Sequence, residues 1–319
     1  MTDTNHPRVS VVIPAWNASD TLGRALAALA AQDLAEPYEV VVVDNGSDDA
    51  TGALAEAAPG PVRVVRRAHG LAGEARDDGV AAARGELLAF TDADCFPEPG
   101  WLAAGLAALD RGGDLVQGRV VPDPAARMAP FDRSLWVGSD TGVYQTANLF
   151  VRRDWFERVG GFEELHDDPE ARAFGEDAWL GWRLRRAGAR VSFAGDAVVH
   201  HAVLPRGAGG YVRERARCGG FALLARRIPE LRRTFFFGRL FLSRRSAAFD
   251  AALAALAAAA LSRSALPLAG AAPYALTIAR RSLESGVRAP LVAPVEVAAD
   301  AVCLASLVRG SVAHRAPVL

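Results

Sequence analysis

Lysine is missing altogether: all 36 basic residues among the 319 are arginine. A lysine Schiff base and a lysine phosphate anchor are therefore excluded. Alanine is abundant, and the two biases together read as GC-rich coding rather than as chemistry. Cysteine is scarce, with three residues (Cys95, Cys218 and Cys303) far apart and odd in number. That excludes a disulfide framework or metal knuckle and fits a reducing cytoplasm. Charge of either sign is not in surplus, since the net charge is −1; no nucleic-acid partner is implied. No apolar stretch follows a basic start in MTDTNHPR, so no secretory signal is expected. Neither a G-x-G-x-x-G turn nor a Walker loop follows the first apolar run, which weighs against a dinucleotide-dependent dehydrogenase or a phosphate-loop ATPase.

What is present is globular: 51% hydrophobic and 23% charged residues, with length for a sizeable core in one large domain or two. Four apolar, β-branched runs recur early, at residues 9–16 (VSVVIPAW), 38–45 (YEVVVVDN), 62–67 (VRVVRR) and 86–94 (ELLAFTDAD). Alanine-rich segments of helical spacing lie between them, at 21–32, 54–58 and 73–83. Strand and helix in alternation predict an α/β fold, a parallel sheet covered on both faces. Asn17, Asp44, Asn45, Asp92 and Asp94 all fall at the C-terminal ends of these runs, where open α/β sheets bind ligands.

After residue 114 the pattern becomes mixed. Runs at 115–123 and 143–153 predict an antiparallel extension, EDAWLGWRLRRAG predicts a helix ended by Gly188, and VSFAG and AVVHH predict a short strand pair. Residues 206–245 carry eleven arginines against two acids, Glu214 and Glu230, an excess of nine positive charges. Beyond them the chain is alanine, leucine and valine broken by proline. Its uncharged windows, 251–262 and 264–279, fall short of the roughly 20 apolar residues of a spanning helix. Helices lying in, or docking on, a membrane surface, with the arginines toward anionic lipid, are expected.

Taken in order, VSVVIPAWN, VVVDNGSDDAT, ARDDGVAAARGE, AFTDADCF and GEDAWLGWRLRRAG resemble the family-2 glycosyltransferases, inverting enzymes of GT-A fold. The resemblance covers residues 8–204 and implies a GT-A catalytic domain over 1–204, with a nucleotide-sugar-binding half (8–112) and an acceptor-binding half (113–204). An arginine-rich, apolar helical extension follows over 205–319. On this resemblance Pro14, Ala15, Trp16 and Asn17 line the nucleotide, and Asp44 and Asn45 stand where the family has an acidic pair that reads the base. Asn45 departs from that pair, since an amide donates as well as accepts. Asp92, Ala93 and Asp94 form the D-x-D motif, with Asp92 on the ribose and Asp94 on a divalent cation, Mn²⁺ or Mg²⁺. Arg76 meets the donor phosphates or Asp92; Asp77 replaces the usual Asn. Cys95 reads as a packed small residue, because thiolate is a soft donor for such a site.

Glu176 and Asp177 match the family's E-D pair, whose second member is the catalytic base. Displacement at an anomeric carbon needs a carboxylate to take the acceptor's proton on the face opposite the leaving nucleotide. The pattern A-V-V-x-H places a metal ligand on His201 rather than His200. Trp155, Trp179 and Trp182 are candidates for acceptor contact, with Trp179 on the acceptor side, although W-x-x-W at helical spacing also suits core packing. No Q-x-x-R-W motif follows, so single-sugar transfer is expected. The expected partners are a UDP-, dTDP- or GDP-sugar, a glycan or lipid-linked acceptor of the cell envelope, and a membrane surface. The expected place is the cytoplasm, peripheral on the inner face of the membrane. The competing activities are a nucleotidyltransferase, for which IPAWNAS lacks the Gly-rich loop, and a non-catalytic membrane-associated module that binds nucleotide sugars.

Overall fold

A computed structural model describes residues 6–165, 174–286 and 289–319, which form two compact units. The first takes in the chain up to Arg127 together with Ser134–Val203. Its valine runs become β1 (Val9–Ala15), β2 (Tyr38–Asp44), β3 (Val62–Arg66) and β4 (Leu87–Phe90). The intervening segments form α1 (Leu22–Ala30), α2 (Thr51–Glu56) and α3 (Ala72–Ala82). Strands β3, β2, β1 and β4 run parallel in that spatial order, so β1 sits at the switch point where chain order reverses.

Alternate residues of β1 explain the two covered faces. Val9, Val11 and Ile13 pack with Leu22, Leu26 and Leu29 of α1 in the main core. Burial of each such side chain is worth roughly 1.5–3 kcal/mol. The other face is closed by α3, and closely: a Cβ on Gly79 would lie 2.5 Å from Val12 Cγ1.

After β4 come β5 (Cys95–Pro97), α4 (Trp101–Asp110), β6 (Leu115–Pro122), β7 (Leu149–Arg152), α5 (Arg153–Arg158), α6 (Glu176–Arg186) and β8 (Val191–His201). They complete an eight-stranded mixed sheet, β3-β2-β1-β4-β7-β6-β8-β5. The doubly covered mixed sheet and the helices that follow are those expected of a GT-A domain with a helical extension. Two details differ from expectation. The run 143–153 is a strand only from Leu149, because a 3-10 turn occupies Thr146–Asn148. The expected strand pair VSFAG and AVVHH is one strand, β8, whose pairing with β6 jumps from Gly118↔Ala194 to Arg119↔Val198. Residues 195–197 bulge there.

Asn148 satisfies that bulge. Fully buried, it donates from Nδ2 to the carbonyls of Arg119 and Ala197 and accepts the Trp101 indole N–H on Oδ1, each at 2.8 Å. Asn148→Ala orphans two buried groups, the Trp101 indole N–H and the Ala197 carbonyl, each costing about 1–3 kcal/mol. Urea unfolding is expected to show at least the lower end of that sum lost; an unchanged midpoint would mean the bulge does not depend on Asn148.

The second unit comprises Met128–Arg133 and Leu204–Leu319. Its helices are α7 (Ala208–Glu214), α8 (Gly220–Arg227), α9 (Leu231–Thr234), α10 (Arg244–Ser262), α11 (Ala272–Glu284) and α12 (Ala289–His314). Proline does not break the last of them, since Pro294 lies within α12. The helices also outrun the uncharged windows of the sequence, because Asp250, Glu296 and Asp300 sit inside them. Both α10 and most of α12 are long and apolar enough to cross a membrane by length and composition. Cys218 and Cys303, distant in sequence, meet with their sulfurs 2.6 Å apart.

Candidate active site

The C-terminal edge of the parallel strands gathers the first group of side chains. Register pairs Pro14 with Val43 and Ala15 with Asp44, so the loops after β1 and β2 run side by side. Asn17, at φ +47, joins them: its N–H donates to Ser47 Oγ and its Oδ1 accepts the Asp48 N–H, both at 3.0 Å. Asparagine tolerates that left-handed backbone better than most residues. Trp16 is 55% exposed and stands 4.5 Å, centroid to centroid, from the ring of His69 beyond β3. An exposed aromatic pair at the ligand-binding edge is able to serve as a stacking platform.

Asp44, at the end of β2, is buried, with Oδ1 accepting the Ser47 N–H at 3.0 Å. Asn45 turns inward instead. Its Oδ1 accepts from Arg67 Nη1 at 2.7 Å and from the Gly70 N–H at 3.1 Å, while Nδ2 donates to the Gly70 carbonyl at 2.8 Å. The amide that replaces the acidic residue therefore pins the loop carrying His69, and one N–H remains to it.

The second group forms where β4 ends. Ala93 is buried in the main core, which leaves Asp92 and Asp94, on either side of it, each about 30% exposed. Strand β5 pairs with β8 so that Cys95 lies opposite His201. His201 Nε2 then lies 3.5 Å from Asp94 Oδ2, while its Nδ1 is 2.7 Å from the Ala202 carbonyl. A carbonyl accepts, so Nδ1 is the nitrogen that donates there and Nε2 is the one turned toward Asp94. Asp94, Cys95 and His201 place one ligand atom apiece within 4.8 Å of one another. Burial, with Asp92 and Asp94 beside it, pushes the Cys95 thiol well up, so the oxygen and nitrogen are the ready donors. A hard or borderline divalent cation fits that pair. His200, on the opposite face of β8, pairs with Glu98 at 2.9 Å and takes no part.

Arg76 of α3 ties this group to a third. Its Nη2 donates to Asp92 Oδ1 at 2.8 Å, and its Nη1 lies 3.6 Å from Glu176 Oε1. The guanidinium is buried, and Nε and Nη1 have no hydrogen-bond partner among the described residues. Burial opposes its charge, but Asp92, Glu176 and Asp177 outweigh that and hold it above its ordinary range. One cation thus joins carboxylates from the end of β4 and the start of α6.

Gly175, at φ +81, makes the left-handed turn into α6 that sets Glu176 and Asp177 in its first turn. Asp177 Oδ1 accepts the Ala178 N–H at 2.7 Å. Burial first, and the Glu176 carboxylate second, push the Asp177 carboxyl up to about 7, against the pull of Arg76. A carboxylate poised near neutrality is suited to general-base work. Asp77, next to Arg76, is raised by burial to about 6, but its Oδ1 accepts the Phe162 N–H and serves the loop that carries Phe162.

The tryptophans divide. Trp182 is core, donating to the Gly142 carbonyl at 2.8 Å. Trp179 is half-buried, with its indole N–H on Glu163 at 3.3 Å and the guanidiniums of Arg183 and Arg186 near its ring. Trp155 lies under Arg158. Sequence reasoning missed His69 and Asn148. His69 follows the third strand, at the same edge that flagged Asp44 and Asp92, and the same rule could have found it.

Comparison with known proteins places these residues in context. A family described as Glycosyl transferase family 2 matches residues 10–160. Glycosyltransferase AglE of Haloferax volcanii is 33% identical over 215 residues, 63% of this chain and 69% of that protein. The pre-mycofactocin glycosyltransferase of Mycobacterium tuberculosis is 32% identical over 220 residues, 62% of this chain and 43% of its own length. Among solved structures, the mannosyltransferase PcManGT from Pyrobaculum calidifontis, in complex with GDP-Man and Mn²⁺, aligns over 96% of this chain and 88% of its own with TM-score 0.64 and 26% identity. Staphylococcus aureus TarS shares the fold over 69% of this chain and 43% of its own, with TM-score 0.50 and 21% identity.

Proposed function

Since this chain belongs to glycosyltransferase family 2 and is a glycosyltransferase, we propose that it moves a single sugar from a UDP-, dTDP- or GDP-sugar to an envelope acceptor, with inversion. The observation that carries this assignment is Arg76, whose contacts with Asp92 and Glu176 bring the donor loop and the start of α6 to one place.

The donor is held by residues 8–112. The base stacks on Trp16 and His69 over Asp44, whose carboxylate accepts an imino N–H such as uracil, thymine and guanine present. Pro14, Ala15 and Asn17 line the same edge, and Asp92 meets the ribose. Arg76, buried against Asp92 and Glu176, places its positive charge beside the donor diphosphate. Asp94 and His201 would hold Mn²⁺ or Mg²⁺, which when bound neutralises the charge that grows on the diphosphate.

Residues 113–204 receive the acceptor, with Glu176 and Trp179 on its side. Asp177 takes the proton of the acceptor hydroxyl as its oxygen bonds to the anomeric carbon, and the carbon–oxygen bond to the nucleoside diphosphate breaks on the opposite face. One displacement inverts the centre, by the geometric logic of inverting glycosidases. The PcManGT complex favours GDP-mannose among the donors to try first. The arginine-rich stretch and apolar helices of the second unit favour a lipid-linked or cell-envelope glycan as acceptor, met at the cytoplasmic face of the membrane.

Thermal melts with UDP, GDP, dTDP and CMP, each with and without Mn²⁺, test the donor assignment. One nucleotide is expected to raise the midpoint, and more so with metal; no shift with any would overturn the assignment. Trp16→Ala should weaken that nucleotide by about 1–3 kcal/mol, the value of one stacked base. Unchanged affinity would move the base off the platform.

A further inference from the structure

The C-terminal helices of the second unit expose much apolar surface. Sixteen large hydrophobic side chains are exposed among the described residues, and eleven of them lie between Leu253 and Val312. Two of its acids, Glu296 and Asp300, lie inside. Glu296 is fully buried between Arg245, Arg281 and the Tyr211 hydroxyl, and Asp300 takes Arg245 and the Tyr274 hydroxyl. Water favours the reverse arrangement, whereas a bilayer favours apolar surface outside and paired charge within.

The exposed residues concentrate on one feature, the hairpin from α10 through the 3-10 turn Leu266–Ala271 to α11. It folds back on itself, with Gly270 against Ala255. Its root is fastened, since Arg245 at the start of α10 and Arg281 near the end of α11 both bind Glu296. Its far end is bare: Leu261 is 87% and Leu266 83% exposed. Between Asp250 and Arg280 the one charged residue is Arg263, at the bend. Helix α10 carries the chain about 27 Å from Arg245 to Arg263 at 1.5 Å per residue. That approaches the roughly 30 Å of bilayer hydrocarbon, so with the root among headgroups the apolar end lies deep in the hydrocarbon and the long Arg263 side chain can snorkel toward the far headgroups. A buried core helix would pass the same test of length, but only 17% of the apolar window of α10 is buried.

We propose that the α10–α11 hairpin inserts into a lipid bilayer, with the Arg245 and Arg281 root at one headgroup layer and the Leu261–Leu266 end in the hydrocarbon. The proposal deepens the membrane-surface reading above and rests on it.

The test is flotation of the full-length protein with phosphatidylcholine vesicles, with and without phosphatidylglycerol. It is joined to fluorescence from an NBD probe on Leu266→Cys, the three native cysteines being buried. Expected are flotation that resists high salt, a several-fold rise and blue shift in NBD emission, and quenching by lipids labelled in the acyl chain. Leu261→Glu with Leu266→Glu, both at exposed positions, should abolish the salt-resistant fraction while the far-UV spectrum and melting remain native. Flotation that needs phosphatidylglycerol, yields to salt and leaves NBD unchanged would overturn insertion and keep the surface reading. No flotation with either vesicle would overturn both. Self-association lost in the double variant, without flotation, would make the hairpin a contact between copies and overturn insertion.

Discussion

Asp177→Asn is expected to bind donor nucleotide as the native enzyme does, to transfer sugar about 10²- to 10⁴-fold more slowly, and to melt at a higher temperature at pH 8. The loss of rate follows because an amide cannot take the acceptor's proton. Donor binding survives because Asp177 makes no direct contact with Asp92, Asp94 or His201, and its substitute can still accept the Ala178 N–H at Oδ1. The gain in stability comes from the same burial that poises the base. Its carboxyl rises from 3.8 to about 7 in the folded protein, so between those values the folded state holds a proton that the unfolded chain has released. Stability from this group is complete below about pH 4 and declines as pH climbs toward 7. At pH 8 the folded protein therefore bears an ionised carboxylate beside Glu176, which asparagine removes. Native activity should rise through the same window, and this limb should vanish in the variant. A variant that transfers at near-native rate, or a native rate flat from pH 5 to 8, would remove Asp177 from the role of base.

The half of the fold that holds the site was legible because its inner strands β1, β2 and β4 are buried on both faces. Such strands read as unbroken valine runs, and β1 to β4 begin and end close to where the runs do. Strand β8 was not legible as one element, because the break in its pairing belongs to its contact with β6 and to Asn148, which stands nearly fifty residues earlier. The same holds for α12, where acids at 296 and 300 interrupt the apolar pattern until Arg245 and Arg281 pair with them. At the site, Arg76 and Trp179 lie inside helices, while most candidates stood out by their place at a strand end or helix start. Their joining did not: nothing local says that Arg76 reaches both Asp92 and Glu176, or that Trp16 meets His69. Asn45 shows the limit most clearly. Its sequence position suggested base reading, and only the loop at 67–70 shows where its amide goes.

Asp94→Ala should abolish the metal-dependent part of nucleotide binding and lower transfer by about 10²-fold or more. The scale is that of a bound cation, several kcal/mol of charge stabilisation at about 1.4 kcal/mol per tenfold. Of the atoms gathered there, only the Asp94 carboxylate supplies the negative charge that draws a divalent ion. The His201 imidazole is neutral as a ligand and the Cys95 thiol is held protonated by burial. His201→Ala should therefore weaken metal binding less than Asp94→Ala, because a carboxylate and water can still coordinate. Chelation gives the sharper comparison. EDTA should slow the native enzyme to roughly the level of Asp94→Ala and do little to the variant, since both treatments remove the same interaction and their effects cannot add. If EDTA slowed the variant as much as the native protein, the cation would be held elsewhere, and the 3.5 Å approach of His201 to Asp94 would be a structural pair.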